Sequence, residues 1–83
     1  MTLRVEGADR VLELSCEQLY MRFVDARVRG ATEALFARLA HRMREVRALR
    51  LRDVAWLSDA DLRASLDPVL TAFEQGGGKV SRA

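Results

Sequence analysis

Apolar residues alternate with polar ones over some stretches of this chain and recur every three or four residues over others, and the order of these periods predicts the fold. Leu3 and Val5 sit in TLRVE, and Val11, Leu12 and Leu14 in RVLEL; between them Gly7-Ala8-Asp9 is a spacer of hairpin length, which predicts an N-terminal β-hairpin. Between residues 15 and 30 two periods compete. Leu19, Met21 and Phe23 alternate like a strand, while Leu19, Phe23 and Val24 share a helical face, so this stretch reads as a strand or an irregular helical turn. From Ala31 the spacing of Leu35, Phe36, Leu39, Met43 and Val46 predicts an amphipathic helix over 31–47, begun after Gly30. Leu49, Leu51 and Val54 then alternate with Arg50, Arg52 and Asp53, which predicts a strand over 48–55.

The period changes again at Ser58. Leu62, Leu66, Val69, Leu70 and Phe73 form one stripe, which predicts a second helix over 59–75, with Ser58 as its N-cap, Asp61 three residues on as the partner of a capping box, and Asp59 adding negative charge where the helix dipole favours it. Gly76-Gly77-Gly78 ends that helix. Pro68 removes a hydrogen bond and clashes one turn back at a cost of about 3 kcal/mol, so a kink or break is expected near Asp67. Residues 76–83 form either a flexible glycine-rich tail or a short terminal strand at Lys79-Val80. The expected fold is thus a single α/β domain over residues 1–83, a small sheet with two main helices; the alternative is a mostly α-helical domain.

Length and composition narrow the function. A chain of 83 residues has room for one small core and not for a sizeable enzyme cleft. With 49% hydrophobic and 31% charged residues it has a globular balance. Apolar runs are too short for a membrane span, and no apolar region follows Met1-Thr2-Leu3-Arg4 to make a signal peptide, so a soluble cytoplasmic protein without membrane contact is expected. Cys16 is alone, which excludes an internal disulfide and a cysteine-based zinc site; it reads as a small buried thiol. Charge is uneven along the chain. Residues 27–52 hold eight arginines against Glu33 and Glu45, whereas residues 53–77 hold Arg63 against five acids. Such a split serves either internal complementarity or the steering of a charged partner.

No catalytic motif is present. His41, the sole histidine, falls at the edge of the apolar face of the first helix and reads as a boundary packing residue; no second histidine or carboxylate cluster accompanies it as a metal site. Asp59 and Asp61 at the helix start read as capping and dipole compensation rather than, together with Asp53, as cation ligands. The triple glycine follows a helix, the wrong order for a phosphate-binding loop. A non-enzyme without cofactor or metal is expected.

One stretch resembles a known family. Ala48-Leu49-Arg50-Leu51-Arg52-Asp53-Val54-Ala55-Trp56-Leu57 followed by Ser58-Asp59-Ala60-Asp61-Leu62, and later Gly76-Gly77-Gly78-Lys79-Val80, is similar to the STAS domain of bacterial anti-sigma-factor antagonists. In that family a strand of the type V-L-D-L-S-x-V-x-F-I runs into D-S-S-G-L, and a helix then leads to a glycine pair and another strand. The resemblance covers residues 48–80 and extends loosely to the hairpin and first helix. It implies a regulatory module that binds a partner protein at the strand-to-helix corner. The family's phosphorylatable serine falls on Asp59, its preceding aspartate on Ser58 and its glycine on Asp61, so serine phosphorylation at that position is excluded here.

Three functions follow. The first is a non-catalytic protein-interaction module, bacterial and regulatory in the resemblance, that presents Trp56, Ser58, Asp59 and Asp61 to a protein partner. Tryptophan is enriched among interface anchors, although a place in the core competes for Trp56. The second is a nucleic-acid-binding protein that uses the arginine-rich segment 38–52, with Arg38, Arg42, Arg44 and Arg47 as contacts; few aromatic residues are at hand to stack on bases. The third is a structural subunit that associates with itself as a homodimer or larger oligomer, because so small a core often needs a partner.

Overall fold

The computed structural model describes residues 2–6 and 9–82, and side chains from Arg10 onward. Strands β1 (Thr2–Glu6) and β2 (Asp9–Ser15) are followed by helices α1 (Cys16–Arg29) and α2 (Thr32–Met43), strand β3 (Ala48–Arg52), a 3-10 turn at Val54–Trp56, helix α3 (Ala60–Gln75) and strand β4 (Lys79–Arg82). The fold is α/β, as the hydrophobic pattern predicts.

The sheet has the order β1-β2-β3-β4. β1 and β2 are antiparallel, with Leu3 opposite Leu12 and Glu6 opposite Asp9; Gly7 and Ala8, on which the spacer expectation falls, lie outside the described residues. β2, β3 and β4 run parallel, with Leu12 opposite Leu49 and Leu49 opposite Val80. Both parallel connections step in the same direction across the sheet, and crossovers of one hand then lay their helices on the same face. Burial agrees. Leu12, Leu14, Leu49 and Leu51 are at most 1% exposed and meet Leu39, Leu62, Leu66 and Leu70 in one core. The residues between them, Arg50 and Arg52 on β3 and Lys79 and Ser81 on β4, are exposed on the opposite face. There Glu13 bridges Arg50 at 3.2 Å and Arg52 at 3.9 Å. Each fully buried leucine contributes about 1.5–3 kcal/mol relative to an exposed one.

Residues 16–29 form a regular helix rather than a strand or an irregular turn. Ser15, in extended conformation, caps it by accepting from the Gln18 N–H at 3.3 Å, and Gly30 ends it in the left-handed region at φ 68°. Leu19, Phe23 and Ala26 line its buried face, whereas Met21, whose alternation imitated a strand, is 62% exposed. α2 stops at Met43, four residues before the predicted end. The physical reason is the sheet: the Arg47 N–H already donates to the Arg10 carbonyl at 2.9 Å, and the Arg47 carbonyl accepts from the Lys79 N–H at 3.0 Å. Val46 stays buried, but from the connection and not from the helix.

β3 ends at Arg52 instead of continuing to 55, because Asp53 turns into the left-handed region (φ 59°, ψ 44°). α3 runs unbroken through Pro68, so of the expected kink or break the break does not occur. Pro68 and Ala64, whose carbonyl loses its intrahelical donor, both lie on the exposed side of the helix. Residues 79–82 form β4, the outer parallel strand.

Candidate functional site at the carboxyl end of β3

Ligand sites in open α/β sheets cluster beyond the carboxyl ends of the parallel strands, and the corner between β3 and α3 lies there. It begins at Asp53. A left-handed non-glycine residue is uncommon, and aspartate is one of the few side chains that tolerate it. Two contacts hold Asp53 in place: its Oδ2 accepts from the Ser15 hydroxyl at 3.2 Å, and its carbonyl accepts from the Trp56 N–H at 2.9 Å. The Ser15 hydroxyl therefore serves both the cap of α1 and the end of β3.

The 3-10 turn next sets Trp56 on the surface, 42% exposed. Its ring leans on Tyr20 of α1 with centroids 6.0 Å apart and planes at 47°, a tilted aromatic pair. Leu57 and Ser58 complete the turn, and Asp59 rather than Ser58 caps α3. The Asp59 backbone is extended (φ −72°, ψ 124°), and its Oδ1 accepts from the N–H groups of Asp61 at 2.9 Å and Leu62 at 3.0 Å. The extra turn pushes the helix start one residue along the chain, which leaves the exposed Ser58 outside the cap and abolishes the capping box with Asp61. The Asp61 carboxylate instead pairs with Arg27 of α1 at 3.3 Å, with Asp59 Oδ2 at 3.9 Å from the same guanidinium. Arg27 lies 5.1 Å over the Phe23 ring, which steadies it by a cation–π contact.

The structure thus brings Trp56, Asp59 and Asp61 to one corner, with Ser58 in the turn between them, and adds three groups that the sequence did not single out as part of it: Tyr20, Arg27 and the Ser15–Asp53 pair. Cys16, the chain neighbour of Ser15, is fully buried, as expected. A thiol at a helix start is ordinarily lowered in pKa. Here burial and then the charge of Asp53 raise it, against a smaller opposing effect of Arg82.

The arginine-rich segment does not form one surface. Arg38 and Arg42 border a groove between α1 and α2. Arg44 and Arg47 face a cavity at the opposite end of the sheet, beside Arg10 and Gly76-Gly77-Gly78. Arg50 and Arg52 point to the uncovered sheet face, tied to Glu13. His41 is exposed on α2, not at a packed boundary. Among the described residues no three His, Cys, Asp or Glu side chains converge as a metal site, and no helix is long and apolar enough to cross a membrane. No protein-family model, curated protein or solved structure matches the chain.

Proposed function

We propose that this domain is a non-catalytic protein-interaction module that binds a partner protein through the corner from Trp56 to Asp61. The observation that carries this reading is the presentation of Trp56. A large aromatic side chain is held outward, 42% exposed, on a braced turn, with its ring backed by Tyr20. An anchor ordered before binding loses little rotamer freedom on association, and tryptophan heads the residues that dominate interface energies. Asp59 and Asp61 follow it in the chain and supply polar groups of the kind that rim an interface anchor. The reading agrees with the resemblance to STAS domains, in which the partner meets the same strand-to-helix corner. Division of the arginines among three surfaces removes the continuous basic stripe on which the nucleic-acid alternative rested.

The test is affinity capture from the native cell, with partners identified by mass spectrometry and then measured by calorimetry against purified variants. Trp56→Ala and Asp61→Lys are suitable because neither residue caps a helix. Asp59→Lys is not, because it removes the cap and the partner surface together. Loss of about tenfold or more in affinity for Trp56→Ala is expected, with the melting temperature nearly retained. A captured partner that binds wild type and both variants equally would sink the proposal.

A further inference from the structure

A second surface lies on the other side of α1. Between α1 and α2 runs a groove of about 600 Å³ whose floor includes Leu19, Leu35 and Leu39. Arg22 and Arg29 stand along one bank, Arg38 and Arg42 along the other. Among the described residues the only carboxylate lining it is Asp25, held by Arg29 at 3.1 Å, and Arg22, Arg38 and Arg42 form no ion pair with any described residue. Three large hydrophobic side chains are exposed among the described residues, and apart from Trp56 they are Met21 and Val28, 62% and 84% exposed. Met21 lines the groove, and Val28 lies two turns further along the same side of α1.

We propose that this groove docks an acidic amphipathic helix of a partner protein. The floor takes apolar side chains and the arginine banks take carboxylates on both flanks, the helix-in-groove mode of peptide recognition. The spacing favours a helix over a single anionic group. Arg38 and Arg42 are four residues apart, about 6 Å along the axis, matching carboxylates one turn apart on a bound helix, and Arg22 adds a cation on the opposite bank. Nucleic acid fits less well, because no aromatic side chain among the described residues lines the groove to stack on a base, and leucine gives a phosphate nothing. Methionine at the rim suits a surface that adapts to a helical ligand.

The probe is a fluorescently labelled synthetic helix of about five turns built from Leu and Glu, with leucines at i, i+3, i+4 and i+7, followed by anisotropy. Saturable binding in the micromolar range is expected. It should weaken at least about tenfold in the double variant Arg38→Glu/Arg42→Glu and severalfold in Met21→Ser. Arg44→Glu, at the far end of the sheet, and Trp56→Ala, at the corner, should leave it unchanged, which separates this groove from the site of the proposed function. All these side chains are exposed, and melts verify folding of each variant. The proposal is overturned by absence of saturable binding up to about 100 µM, by equal binding of the Gln-for-Glu peptide, or by equal losses in Arg44→Glu. Displacement of the peptide by single-stranded DNA of random sequence at equal concentration would transfer the groove to nucleic acid. A wild-type dimer that dissociates in Arg38→Glu/Arg42→Glu would transfer it to a second copy of the chain.

Discussion

Removing the carboxylate of Asp59 and the hydroxyl of Ser58 separately tests how the corner is built. Asp59→Ala deletes two hydrogen bonds to the first N–H groups of α3, at 2.9 and 3.0 Å. Loss of such a cap costs about 1 kcal/mol, within about 0.5–2. The negative charge at the helix start adds about 0.3–1 kcal/mol through the dipole. The contact with Arg27, at 3.9 Å and partly exposed, adds little. The expected destabilisation is therefore about 1.5 kcal/mol, and for a domain of this size each kcal/mol lowers the melting temperature by about 4–8 °C. Asp59→Asn keeps an acceptor and removes the charge, so it should cost about 0.5 kcal/mol. Ser58→Ala touches an exposed side chain outside the cap and should stay within about 0.5 kcal/mol of wild type. Urea unfolding at neutral pH, with equal m-values required before midpoints are compared, measures all three. Ser58→Ala as costly as Asp59→Ala would refute the cap assignment and restore the capping box expected from sequence.

Cys16 predicts a pH dependence whose sign follows from its raised pKa. The unfolded chain ionises first, near the ordinary thiol value of about 8.5, so the stabilisation is complete below that pH and is lost as pH rises toward the folded-state value. Subtracting the stability–pH curve of Cys16→Ala from that of wild type isolates the effect; a difference that does not fall above the unfolded-thiol pKa would contradict it, and a thiol reagent should label native protein only after unfolding. Gly30→Ala places a Cβ in open space but at φ 68°, so its cost, about 1–2 kcal/mol in a thermal melt, is backbone strain alone; no loss would place the end of α1 elsewhere. Leu66→Ala, at a residue 1% exposed between α3 and the sheet, should cost about 2–5 kcal/mol, and a cost below about 1 kcal/mol would show that α3 does not close the core.

Strand β2, α2, β3 and α3 were legible because each buries one face and so carries a single period. The helix α1 was not, for a reason local to its residues. Met21 is apolar yet exposed, and Leu19, Met21 and Phe23 together imitate a strand that only burial distinguishes from a helix. A further signal stood in the sequence. Ser15 and Gln18 have the spacing of a capping box, and Ser15 does cap α1. Weighed above the alternation, that spacing with Gly30 at the far end would have placed the helix. The end of α2 was illegible for a different reason: Val46 keeps the helical spacing, but Arg47 belongs to the sheet through Arg10 and Lys79, a long-range constraint that periodicity cannot express.

At the corner one role was displaced. Trp56, Ser58, Asp59 and Asp61 do meet there, but the cap moved from Ser58 to Asp59 because Asp53 turns left-handed and spends three residues on a 3-10 turn before α3 begins. Asp53 can do so because it is an aspartate whose carboxylate meets the Ser15 hydroxyl 38 positions away in the chain, so the geometry of a local turn depends on a contact that only the folded sheet provides. The arginines show the converse. Eight fall within residues 27–52 and read in one dimension as a single basic element, yet α2, the connection after it and β3 send them to separate surfaces, and Arg27 turns back to the acidic corner itself. The opposite charges of the middle and the following segment thus meet at Arg27 with Asp59 and Asp61, while Arg22, Arg38 and Arg42 keep charge that no acid among the described residues neutralises by an ion pair. That unspent charge is what favours the proposed docking groove over internal complementarity, and the part of it that Arg22 carries lies on α1, whose other side braces Trp56.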